Sequence, residues 1–120
     1  MDVKLNLDFV QARLSSTYIE EEGARLSLMK RFAEAQDARE VNALKTEMRD
    51  RFGPLPPEAE TFVHVAKLRC ACAAHHVTNL DVRGPRAVFY KDGSRAIDRV
   101  IELKGSTSRQ KLAELERALD

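Results

Sequence analysis

Glu47 and Asp50 stand three residues apart in a segment whose apolar positions, Val41, Leu44, Met48 and Phe52, recur near the helical period. That spacing places the two carboxylates one helical turn apart and off the apolar stripe, as an acidic ridge that the fold does not itself require. Paired carboxylates of this kind can accept arginines of a partner and so set register and specificity. The same pattern also describes an ordinary solvated helix face. Arg25 is the other polar residue that stands out. It falls in the apolar arc of a preceding helical stretch, beside Leu26, Met29 and Phe32. Its guanidinium therefore needs acceptors: a carboxylate, with Glu47 first and Glu22 second, or several backbone carbonyls.

The string Cys70-Ala71-Cys72-Ala73-Ala74-His75-His76 invites a metal reading, because Cys72 and His76 are i,i+4 on a helix. Structural zinc, however, needs four ligands in a closed tetrahedron. Cys70 lies nearer the middle of an apolar arc and no second Cys/His cluster follows, so buried thiols and surface histidines are expected, with no metal. Nucleophilic catalysis needs a base that a third group orients; His64 and His75 instead fall on a polar helical stripe. The five glycines are scattered singly, which excludes a phosphate-cradling loop, and no cofactor or catalytic residue is expected. Residues 83 to 111 carry eight Lys/Arg against three acids. Within that run Arg86, Lys91, Arg95 and Arg99 are candidate contacts to nucleic-acid phosphates. Phe89 and Tyr90 are the only aromatics interleaved there, and a solvated strand-and-turn face accounts for the same charges.

The elements that position these residues follow from period and punctuation. Val3 to Phe9 alternates apolar and polar, the mark of a half-buried strand. A helix over about 20–35 buries Leu26, Met29, Phe32 and Ala33, with Leu28 at the margin. Asp37 and Glu40 form a capping box that starts a second helix over about 37–52, and Gly53-Pro54 ends it. Pro56-Pro57-Glu58 opens a third helix to about residue 75, apolar over a wide arc and so packed on two sides. Short strands follow at 78–83 and 86–91, with turns at Gly84-Pro85 and Asp92-Gly93. Residues 99–103 read as a further strand rather than a helix end, and 109–119 as a last helix. The predicted fold is α+β: an N-terminal strand, a helical hairpin plus central helix, a small antiparallel sheet and a C-terminal helix.

Composition agrees. A chain of 120 residues, 43% hydrophobic and 32% charged, suits one globular domain rather than disorder. No apolar run approaches the length of a membrane helix, and two closely spaced cysteines suit a reducing cytoplasm. The first sixty residues carry −3 and the last sixty +4, a polarity too weak to mark a nucleic-acid binder by itself.

Three strings carry a resemblance. They are Arg25-Leu26-Ser27-Leu28-Met29-Lys30-Arg31-Phe32, Glu47-Met48-Arg49-Asp50-Arg51-Phe52-Gly53-Pro54-Leu55-Pro56 and Ala66-Lys67-Leu68-Arg69. Together with Tyr18-Ile19, they resemble the C-terminal, regulatory seventh domain of the bacterial transcription-repair coupling factor family over residues 2–82. Within them Arg25, Asp50, Arg51, Phe52, Gly53 and Pro56 form the structural motif. The chain departs from the family at Ser15, where Pro is usual, at Met29, where Tyr is usual, and at His75-His76, where Leu-Gly closes the third helix. The resemblance implies a non-catalytic, autoinhibitory domain of an ATP-driven DNA translocase. In the family it packs on a UvrB-like N-terminal module of the same protein and hides the surface that binds UvrA. The positions of Glu47 and Asp50 would face arginines of that module. RNA polymerase and DNA would be met through the rest of the protein. The 120 residues contain no motor motif, so an excised piece or a short gene product is expected.

Overall fold

The computed structural model describes residues 2–120. In chain order its elements are β1 (Lys4–Leu7), α1 (Glu22–Glu34), α2 (Ala38–Phe52), α3 (Pro57–Ala74), β2 (Asn79–Arg83), β3 (Arg86–Lys91), β4 (Ala96–Glu102) and α4 (Ser108–Arg117). They form two compact units, one of residues 12–70 and one of residues 2–11 with 71–120.

The helical unit is built around α1, α2 and most of α3. Glu21 caps α1, its carboxylate accepting from the Gly23 and Ala24 amides. Asp37 caps α2 by accepting from the Glu40 amide at 2.9 Å. The expected reciprocal bond shifts by one residue: the Glu40 carboxylate takes the Gln36 amide, not that of Asp37. Leu28, Phe32, Val41, Leu44, Met48, Ala59, Phe62, Val63 and Ala66 form the core with Leu14, Ile19 and Cys70. Phe32 meets Phe62 edge to face at 5.2 Å, a geometry that adds to the area both rings bury.

The phase of α1 corrects the expectation. Leu26 is 52% exposed and Leu28 1%, and Ala33 is exposed as well. The apolar residues of α1 are spread widely enough to fit two phases. The chosen phase places Leu28 and Phe32, one turn apart, into the core.

In the sheet unit the strand order is β1-β2-β3-β4. β2, β3 and β4 pair antiparallel as expected. β1 joins the same sheet parallel to β2, with Lys4 opposite Asn79 and Leu7 opposite Val82, so the sheet is mixed. A parallel neighbour needs a long crossover, and residues 8–78 supply it. Asp8 fastens the far end of β1 by accepting from the Gly84 amide at 2.8 Å. Leu80, Val82, Ala87 and Phe89 alternate onto the buried face of the sheet. β4 begins at Ala96, earlier than the pattern suggested, after a turn in which Asp92, Gly93 and Ser94 all have positive φ.

The end of α3 is a Schellman-type closure: the Val77 amide donates to the Cys72 carbonyl and the His76 amide to Ala73. It requires a left-handed residue, and His76 fills that place at φ 60°. α4 starts at a full capping box between Thr107 and Gln110. The Glu114 carboxylate accepts from the Lys104 and Gly105 amides at 2.7 and 2.8 Å. Those two bonds hold its pKa below the usual carboxylate range.

Candidate partner-binding site

Five of the six motif residues, Asp50, Arg51, Phe52, Gly53 and Pro56, lie at or just beyond the C-terminal end of α2, and Arg25 lies in the first turn of α1. At the C-terminus of α2 Gly53 takes φ 92° and its amide donates to the Arg49 carbonyl at 2.8 Å. That conformation is open to glycine at little cost and strained for other residues. The Gly53 carbonyl accepts from the Tyr18 hydroxyl at 2.8 Å, and the Tyr18 ring meets Phe52 edge to face. Burial, then the nearby Glu60 charge, raises the Tyr18 pKa, so the phenol stays a donor. The Pro56 carbonyl accepts from the Ala59 and Glu60 amides and so starts α3. The Asp50-to-Pro56 string is thus a helix stop, a tyrosine latch and a helix start in succession.

Arg25 is part-buried and paired, but not with Glu47 or Glu22. Its Nη1 donates to the carbonyls of Ile19, at 2.9 Å, and Glu20, at 3.4 Å. Backbone carbonyls, the other expected class of acceptor, therefore meet it and tie the turn before α1 to the first turn of the helix.

Glu47 has a different partner. Arg31 of α1 grips it bidentately, Nη1 to Oε2 at 2.6 Å and Nη2 to Oε1 at 2.8 Å. Arg51, one turn further along α2, adds a contact at 3.4 Å while its guanidinium lies 4.8 Å over the Phe52 ring. The hydrogen bonds from Arg31 lead in lowering the Glu47 pKa. Both Glu47 oxygens, on a side chain 37% exposed, are therefore already shared with a neighbouring helix. Asp50 is exposed and makes no ion pair among the described residues. No residue pattern within one helix signalled Arg31, because its partner sits sixteen residues away on the neighbouring helix. An open cleft of about 420 Å³ lies beside it, lined by Arg31, Glu34, Ala35, Glu40, Ala43 and Leu44.

The remaining candidates lie elsewhere. Cys70 and Cys72 are both buried; the Cys70 thiol donates to the Ala35 carbonyl at 3.4 Å, and burial raises its pKa. No group of three or more potential metal ligands occurs among the described residues. Arg86, Lys91, Arg95 and Arg99 are exposed on β3, β4 and their turn. Asp98 sits within 3.4 Å of Lys91 and 3.5 Å of Arg99, which offsets part of the charge a phosphate would meet. No helix among the described residues is long and apolar enough to cross a membrane.

This α+β arrangement has a counterpart among solved structures. The crystal structure of a C-terminal domain of transcription-repair coupling factor matches 99% of this chain and 96% of its own, with a TM-score of 0.78 at 13% identity. The chain belongs to the TRCF domain family, which matches residues 9–101. Transcription-repair-coupling factor of Mycobacterium bovis is 38% identical over 79 residues, 66% of this chain and 6% of that protein. The Rickettsia bellii protein is 31% identical over 91 residues, covering 74% and 8%. The Escherichia coli K12 protein is 41% identical over 56 residues, covering 47% and 5%. The chain thus spans less than a tenth of the length of these relatives.

Proposed function

We propose that this chain is a non-catalytic, autoinhibitory domain of a transcription-repair coupling DNA translocase in the cytoplasm. In this reading the Glu47–Asp50 ridge of α2 packs on arginines of the UvrB-like module of the same protein and masks the surface that binds UvrA. The observation that carries it is the ridge itself: two acidic side chains one turn apart, on a helix whose ends are fixed by Asp37 and Gly53. Family membership and the Asp50-to-Pro56 string support it.

The ion pairs refine how such a ridge works. Arg31 and Arg51 neutralise much of the field around Glu47, so long-range attraction is weak and recognition rests on short-range register. A carboxylate has about four lone-pair directions. An incoming arginine therefore shares Glu47 with Arg31 and meets Asp50 unshared. Exposed pairs contribute only about 0.2–1 kcal/mol, and an interface that excludes water raises this to several.

Titration of the UvrB-like module with the wild-type chain and with the Glu47→Lys, Asp50→Arg variant tests the reading. Affinity should fall by about tenfold or more, and reversal of Glu58 and Glu60, outside the ridge, should change little. Equal affinity for a folded double variant contradicts it. Salt-sensitive binding to duplex DNA that depends on Arg86, Lys91, Arg95 and Arg99 would favour a nucleic-acid domain instead.

A further inference from the structure

β4 is the outer strand of its sheet, and its outer edge has no strand beside it among the described residues. Six of its seven residues are exposed, Ile97 by 61% and Val100 by 47%. An open edge of this length carrying apolar side chains is a template for another strand, which natural sheets normally shorten or block.

The register gives that edge a further property. Tyr90 opposes Ile97, Phe89 opposes Arg99 and Val88 opposes Val100, so Asp98 is the extra residue of a bulge. Directly opposed residues share a face. The bulge therefore brings Ile97 and Val100, three apart, onto one face, while Asp98 and Arg99 lie together near Lys91 on the other. Set against an antiparallel copy of itself with Asp98 opposite Arg99, the strand places Ile97 opposite Val100 and Ala96 opposite Ile101, and Arg95, the turn residue just before the strand, comes level with Glu102. Two-fold symmetry makes each pair twice. Every charge in that register meets its opposite and every apolar residue meets another. A slip that centres the axis on Arg99 sets two arginines against each other and Asp98 against Val100.

We propose that β4 is a homotypic docking edge, on which a second copy of this chain pairs antiparallel in the Asp98–Arg99 register and joins two sheets into one. A single strand edge lies at the low end of interface sizes, so the dimer is transient and depends on concentration.

Sedimentation equilibrium of the 120-residue chain over a wide concentration series tests this, with Arg95→Glu, Glu102→Arg and the two combined. Both side chains are exposed; Glu102 has only a surface contact with Lys104 at 3.7 Å. The wild type should dimerise. Each single change turns two attractive pairs into two repulsive ones and should weaken the dimer about tenfold or more. The combined variant restores opposite signs and should recover to within about threefold of wild type. Circular dichroism verifies the fold of each variant. A chain that stays monomeric throughout, or a combined variant as weak as either single one, overturns the proposal. So does a monomer whose β4 amides gain exchange protection only on adding an extended acidic peptide.

Discussion

The helical unit and the sheet unit both have open backbone groups to close, and they close them differently. In the helical unit a few side chains do it at single points. Arg25 takes the Ile19 and Glu20 carbonyls, Tyr18 takes the Gly53 carbonyl, and Asp37 takes the Glu40 amide. In the sheet unit three ladders do most of it, and Glu114 and Gln110 gather the amides of residues 104–107 that the ladders leave over. Point ties are tolerant of their surroundings but each depends on one residue type. Ladders tolerate side-chain change but depend on pairing between distant segments.

The largest effect should come from the helical core. Phe32→Ala removes a ring 1% exposed and in edge contact with Phe62. It should cost about 3–5 kcal/mol, seen as a lowered unfolding midpoint and faster amide exchange throughout α1, α2 and α3. A loss under about 1 kcal/mol would mean that the core collapses around the gap, and the contrast with the sheet unit would weaken.

Two helix ends give opposite signs. Gly53→Ala meets no atom within 4 Å, so its cost is the strain of φ 92° with ψ −177° alone, about 1–3 kcal/mol. His76 bears a positive φ of its own, 60°, in the left-handed place of the α3 closure. His76→Gly should therefore stabilise the chain by about 0.5–1 kcal/mol in denaturant melts. Destabilisation by His76→Gly would show that the imidazole contributes more than its strained backbone costs.

The smallest effect separates two carboxylates. Glu114 and Glu47 both have lowered pKa values in the fold. Their stabilisation is present above the ordinary carboxylate pKa and is lost as pH falls through the depressed folded value. Glu114→Gln should flatten this acid limb of the stability curve. Added salt at neutral pH should weaken the Arg31–Glu47 pair and leave the Glu114 loop almost unchanged, because its partners are uncharged amides. Equal salt sensitivity in Glu47→Gln and Glu114→Gln melts would remove the distinction.

The same contrast explains what the sequence reveals. Point ties leave local marks: Asp37 and Gly53-Pro54 bound α2 to within a residue, Asp92-Gly93 marks its turn, and the His75-His76 departure marks the strained cap. Pairing leaves few. Nothing within Val3 to Phe9 distinguishes a parallel from an antiparallel neighbour, and its partner lies some seventy-five residues away. The phase of α1 was hidden for a related reason: Phe32 is buried in either phase, and only packing against the other helices decides that Leu28 and not Leu26 goes in with it. At the site, both ridge residues were legible on α2 alone. The Arg31 grip on Glu47 belongs to a second helix and no spacing within α2 encodes it.

UvrA capture by the full-length protein tests the proposed role of the ridge most directly. Wild type and the Glu47→Lys, Asp50→Arg variant would be compared at equal concentration, with the fold of each verified. A released clamp predicts UvrA binding by the variant tighter by about tenfold or more. Unchanged capture by a folded variant would contradict the account and leave Glu47 and Asp50 as a solvated helix face.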